Sequence, residues 1–383
     1  MTSEVFKGLY AFPCFVDTHL HILALGVELL THDLEKEDLR QLLREESSFL
    51  FARGWTEIPP LELINSVSYP VLLVRRCGHM AIINDAAKQR LGIHKNVLKE
   101  QEMKVLYDLF EVKFYEKALK QAEKELFRFG VSYVHSVDWK GMSFNELVSI
   151  LRKARIRIYE KLSTEDPKPE MFGKLTERVY IGAIKLFADG SLGARTACMH
   201  RPYLDTKERG ELLLDGQTLE KILRFGKEHK IEVCIHAIGD AALDFLAPYL
   251  ERYPGNRVIH AQFVSDFALS KLKETKFSVQ PHFRFEDEPL FKYIKTDSHP
   301  YPYKMMHDMG YQIWFSSDAP VSPHDPRYGI EAAMKMGFSK QEAIKLYTIG
   351  SRDTCYYEKP DPLENLPVAI KMGDGEIIDL SVT

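Results

Sequence analysis

The sequence predicts an α/β protein of the eight-stranded parallel class, a distorted TIM (β/α)8 barrel. Three observations lead there. Short apolar or β-branched runs alternate with amphipathic helical patterns over most of the chain, the βα rhythm of a parallel sheet. The chain has 383 residues and is 45% hydrophobic, enough for one large core with additions. Histidine, lysine and aspartate stand at the ends of several runs, the end at which such a barrel keeps its active site.

Nine runs qualify as strands: residues 15–18, 71–75, 131–137, 156–159, 181–188, 231–235, 258–259, 277–279 and 313–315. Helical spacing covers 36–51, then 114–129 with Gly130 as a C′ glycine, and 144–154 behind the capping box Ser143-x-x-Glu146. Further helices are expected at 218–229, 241–253, 266–275 and 341–349, the last behind Ser339-x-x-Glu342. A barrel needs eight strands, so one run is surplus. The long irregular connection holding Trp55 and Ile58-Pro59-Pro60 assigns 71–75 to an insertion between strands one and two. The expected division is an N-terminal segment with strand one at 1–25, the insertion subdomain at 26–109, the remainder of the barrel at 110–358, and a C-terminal hairpin at 359–383. That hairpin follows from the runs 368–372 and 376–380 flanking Gly373-Asp374-Gly375, and it is placed to pair with the first residues of the chain.

Composition excludes several classes. Net charge is -4, and lysines and arginines are mixed with acids along helices such as Lys120-Gln121-Ala122-Glu123-Lys124, which argues against nucleic-acid and membrane partners. No stretch approaches a membrane span, and the first residues lack a basic segment followed by an apolar one, so a cytoplasmic location is expected. Five widely spaced cysteines without a Cys-x-x-Cys pair are read as reduced and structural.

The chemistry centres on Asp17-Thr18-His19-Leu20-His21. Alternate strand residues share a face, so His19 and His21 project together and are able to hold one metal ion, although a bare His-x-His is more often incidental. Later run ends add Lys185, His236, His260 and Asp318. Each has a plain alternative: a core histidine for His236 or His260, a capping residue for Asp318. Lys185 is harder to dismiss, because burying an unpaired ammonium is costly.

Read together, these stretches resemble the metal-dependent amidohydrolase superfamily, most closely its YtcJ-like branch. The matching segments are Phe15-Val16-Asp17-Thr18-His19-Leu20-His21, Ile184-Lys185-Leu186-Phe187-Ala188-Asp189-Gly190-Ser191-Leu192-Gly193-Ala194-Arg195-Thr196-Ala197, Ile235-His236-Ala237-Ile238-Gly239-Asp240, Ser278-Val279-Gln280-Pro281 and Ser317-Asp318-Ala319-Pro320-Val321. Gly78-His79 followed by Asn84 also fits.

The resemblance implies two divalent metal ions, with zinc the default. His19 and His21 would bind one and His236 and His260 the other, with Lys185 bridging them as a CO2-derived carbamate and Asp318 on the first metal. It implies hydrolysis of an amide-like C–N bond of a small molecule by a metal-bridging hydroxide, Asp318 serving as catalytic proton shuttle. His79, Asp189, Arg195 and His282 are substrate-binding candidates, with an Arg195–Asp189 ion pair as the structural alternative. Members usually carry a β-sandwich, which this sequence is expected to lack or to keep only as the C-terminal hairpin. Two rivals stay open: a mononuclear deaminase-like site with unmodified Lys185, and a non-catalytic ligand-binding regulator derived from the enzyme fold. A homodimer also remains an open option.

Overall fold

The structure, a computed structural model, describes residues 14–348 except 46–47, 56, 76–79, 100–101, 103–104 and 107–108, together with 369–370 and 377–378. Eight strands carry the barrel: β1 (Phe15–Leu20), β2 (Val131–Ser136), β3 (Arg157–Ser163), β4 (Val179–Phe187), β5 (Glu232–Ala237), β6 (Arg257–His260), β7 (Lys276–Val279) and β8 (Gln312–Phe315). Each pairs in parallel with the next, in chain order. Both faces of these strands are buried, which accounts for their near-continuous apolar runs.

Two apolar clusters pack the barrel strands. Val16, Tyr133, Tyr159, Ala183, Cys234 and Ile259 form one apolar cluster from β1 to β6. A larger cluster joins Ile184, Val233, Ile235 and Val258 to helical residues such as Leu219, Ile222 and Leu223. The helix Gly216–His229 shows how sequence sets that layer. Asp215 caps it by accepting from the Gln217 and Thr218 backbone, and its buried residues Leu219, Ile222, Leu223 and Gly226 recur at the helical period. Each fully buried Leu or Ile contributes roughly 1.5–3 kcal/mol.

Between β8 and β1 the described residues show no ladder, and other hydrogen bonds close the ring. Thr18 Oγ1 donates to the Phe315 carbonyl at 3.0 Å, and Ser317 N–H donates to the Asp17 carboxylate at 3.1 Å. Asp318 N–H donates to His19 O and His21 N–H to Ala319 O, both at 2.8 Å.

The chain divides into two compact units, one comprising Met1–Ile22, Glu123–Asp138 and Leu151–Thr383, the other Leu23–Ala122 and Trp139–Ile150. The second contains a five-stranded sheet in the order His32–Asp33, Leu50–Trp55, Val71–Arg75, Met80–Ile83, Val97–Lys99. Buried Asn84 organises one corner of it: its side chain accepts from Val71 and Ala87 N–H and donates to the Ile64 and Tyr69 carbonyls.

Two expectations needed correction. The helix expected at 36–51 is only Leu39–Leu42, and Leu50–Trp55 is a strand parallel to Val71–Arg75. Leu50, Ala52 and Trp55 pack there with Val71, Leu73 and Ile82, so sheet pairing overrode helical spacing. The third barrel strand continues past Tyr159 to Ser163, carrying buried Glu160 and Lys161; Glu160 Oε1 accepts from Asp138 N–H and Lys161 Nζ donates to the His135 and Thr18 carbonyls, contacts that a charged strand end in sequence does not announce. Near the C-terminus Ala369–Ile370 pairs antiparallel with Ile377–Ile378, while the Asp374-Gly375 turn and residues 1–13 lie outside the described residues. No described helix is long and apolar enough to cross a membrane.

Candidate metal centre

The six expected ligands come from five elements of the barrel. β1 delivers His19 and leads directly into His21, β4 carries Lys185, β5 carries His236, β6 ends on His260, and Asp318 follows β8. His19 Nε2 lies 3.2 Å from Asp318 Oδ1, and His21 Nε2 lies 3.5 Å from the same oxygen. His19, His260 and Asp318 each offer a ligand atom, and these lie within 4.8 Å of one another. The imidazoles form a continuous row: ring centroids are 5.2 Å apart for His21–His19, 5.7 Å for His19–His260 and 4.5 Å for His260–His236.

Hydrogen bonds behind the rings decide which nitrogens face inward. His21 Nδ1 donates to Val137 O at 2.8 Å, and His236 Nε2 donates to Gly190 O at 2.9 Å, since a carbonyl only accepts. His260 Nδ1 faces Gln280 Oε1 at 2.8 Å, and the Gln280 amide nitrogen in turn donates to Ser316 Oγ. The opposite nitrogens of all three rings therefore keep lone pairs, the arrangement a metal-binding histidine requires. His260 and Asp318 both have left-handed backbones, φ +79° and +60°, a strain of roughly 1–2 kcal/mol each that the surrounding hydrogen bonds must hold.

Lys185 is wholly buried, and among the described residues its Nζ has no hydrogen-bond partner. Burial and the positive charge of Lys161 push its pKa down to about 7. Burial, with the neighbouring lysines, holds the His19 imidazole well below its usual range, and burial takes His260 down to about 4. Burial also lowers His236 strongly, helped by His260 and Lys185. Burial works against the Asp318 carboxylate, but the adjoining His19 and His21 imidazoles hold its pKa well below the carboxylate range. Neutral imidazoles beside an ionised carboxylate are a donor set for a divalent cation.

The model of the amidohydrolase family matches residues 6–359. The chain belongs to the amidohydrolase family. It is 29% identical over 442 residues to the putative amidohydrolase YtcJ of Bacillus subtilis, covering 94% of this chain and 82% of that protein. It is 24% identical over 408 residues to Protein LONG AFTER FAR-RED 3 of Arabidopsis thaliana, covering 87% and 70%. Among solved structures it resembles a metal-dependent hydrolase from Pyrococcus furiosus at 27% identity, with a TM-score of 0.79 over 97% of this chain and 88% of that one. Family membership makes the chain a hydrolase of the metal-dependent amidohydrolase type.

The remaining candidates separate. Asp189, 1% exposed, accepts from the backbone N–H of Ile238, Gly239 and Cys198 at 2.8–3.0 Å and stands 3.5 Å from His236 Nε2. It ties the loop after β4 to the loop after β5. Arg195 pairs with Asp205, not Asp189: Nε and Nη2 reach the carboxylate at 2.9–3.2 Å, and the guanidinium lies over the Tyr203 and Tyr293 rings. His282 is buried after β7, donates from Nε2 to Ser317 O at 3.2 Å, and has no partner for Nδ1 among the described residues. His79 lies outside the described residues.

Sequence reading passed over two groups around the ligands. Asp17, adjacent to the histidine pair, accepts from Ser317 and His19 N–H and so ties β1 to the Asp318 loop. Lys161 reaches the back of the His19 ring. Only an ionisable residue next to a ligand motif, or within an otherwise apolar strand, could have marked them beforehand.

Proposed function

We propose that this chain hydrolyses an amide-like C–N bond of a small molecule at a two-metal centre. In this reading His19, His21 and Asp318 would hold one ion and His236 and His260 the other, with Lys185, as a carbamate, a ligand to both. The observation that carries the reading is the row of four imidazoles, three of them with inward lone pairs, lined by Asp318 and by a buried lysine nitrogen that no described group hydrogen-bonds. A buried amine with its pKa lowered to about 7 is substantially unprotonated near neutral pH, the form that adds to CO2 with loss of a proton. The resulting group has two oxygens, as a bridging carboxylate would.

Bound divalent ions supply Lewis acidity, activating water and polarising the scissile carbonyl. The chain's own residues do the rest. Val137 O, Gly190 O and Gln280 fix three of the rings, so ligand geometry is set before substrate arrives. Asp318, ionised and within 3.5 Å of both His19 and His21, is the group able to take a proton at Oδ1 and pass it to the leaving nitrogen. Burial of Asp318, His19 and His260 keeps bulk water from competing for these bonds.

The compactness of the His19, His260 and Asp318 group also favours a second reading, a mononuclear deaminase-like site with Lys185 unmodified. Metal content after purification, with a hydrolysis screen of amides, lactams and esters, separates the readings. Two ions per chain, loss of activity in Lys185→Ala and partial rescue by small carboxylic acids support the first. One ion without rescue supports the second, and less than one ion per chain with no hydrolysis points to a ligand-binding regulator.

A further inference from the structure

Lys161 is a buried polar residue beside the six candidate ligands that the proposed chemistry leaves unused. It is wholly buried, and its Nζ sits 3.0 Å from His135 O, 3.3 Å from Thr18 O and 3.2 Å from His19 Nδ1. No other described group hydrogen-bonds that ring nitrogen. Lys161 makes no ion pair with a carboxylate among the described residues, whereas a buried cation serving only to hold the fold is ordinarily matched by one. Its two carbonyl partners belong to β1 and β2, so the amine is anchored on both sides and its third contact is aimed at His19.

A histidine binding a metal through one nitrogen is usually oriented by a partner on the other. The three rings already described are held by two carbonyls and an amide, while His19 has only the lysine nitrogen. We propose that Lys161 is a positioning residue that fixes the His19 ring through Nδ1, keeping Nε2 turned toward Asp318 and thereby setting the site's affinity for metal. The inference rests on the metal-centre reading above. It extends the site to β3, the barrel strand between β2 and β4, which supplies no ligand.

The test is metal binding, not turnover. Lys161→Met keeps the length of the stem and deletes the hydrogen bond, and Lys161→Gln restores a side-chain oxygen able to accept from His19 Nδ1–H. Affinity is measured by competition with a chelator, and geometry by the visible spectrum of the cobalt-substituted protein, with circular dichroism confirming the fold. Lys161→Met is expected to weaken binding about 10- to 100-fold and to shift the cobalt bands, and Lys161→Gln to recover part of both. A folded Lys161→Met with wild-type affinity and spectrum overturns the proposal. If Lys161→Met does not fold, histidine-selective 15N spectra of the wild type decide: a His19 Nδ1 resonance without a hydrogen bond to Lys161 overturns it. A wild-type chain that binds no metal refutes the metal reading along with this one, whereas metal-replete wild type and unaltered Lys161→Met refute this one alone.

Discussion

Replacing Asp189 tests whether that residue serves substrate or scaffold. Its carboxylate satisfies three buried backbone donors, Ile238, Gly239 and Cys198, within 3.0 Å. Asp189→Ala orphans all three where water does not readily enter, and each costs roughly 1–3 kcal/mol. The expected loss is therefore at least about 3 kcal/mol, at the severe end for a single substitution. Asp189→Asn places an N–H donor against at least one of those donors and should fall between wild type and Ala. Urea unfolding of the purified variants measures both, using midpoint and slope. Because Asp189 also stands 3.5 Å from His236 Nε2, metal content should fall alongside stability. A loss below about 1 kcal/mol in Asp189→Ala, with impaired substrate binding, would mean that the three donors find other partners and that the residue belongs to the substrate site.

Other consequences can be measured in parallel. In metal-free, unmodified protein the Lys185 pKa falls from 10.5 to about 7 on folding, so the unfolded chain holds more protons between those values and stability should rise with pH across that window. Lys161, lowered to about 8, acts in the same direction, and thermal melts of Lys185→Met should show a shallower rise than wild type. Gly239→Ala would put a Cβ 2.0 Å from the Cys198 carbonyl oxygen, and calorimetry should register a loss of about 1–3 kcal/mol or more. Arg195→Lys removes a forked contact with Asp205, so thermal stability should drop modestly, by about 1 kcal/mol, while KM stays at the wild-type value.

The barrel strands were legible because each is buried on both faces and therefore reads as an apolar run bounded by polar residues. The residues of the candidate metal centre were legible as a group because a motif such as His19-Leu20-His21 is local, and because five such local signals recur in a fixed order. What escaped depends on distant partners. Asp17 finds Ser317 three hundred positions away, and Lys161 finds Thr18, His19 and His135, none of which it neighbours in sequence. Glu160 and Lys161 looked like the end of a strand because charge near an apolar run ordinarily marks its exposure. The stretch 36–51 failed in the opposite sense: its spacing suits a helix, and only the pairing of Leu50–Trp55 with Val71–Arg75 makes part of it a strand.

The seam between the first and last barrel strands would give an occupied metal site a mechanical role. His19 and His21 stand on one side of that seam and Asp318 on the other, at the one junction of the ring where the described strands share no ladder. A cation gripping both sides would act as the buckle of a belt. The work of keeping the barrel shut would then be shared between backbone and ion, and stripping the ion should let these two strands part before any other neighbouring pair.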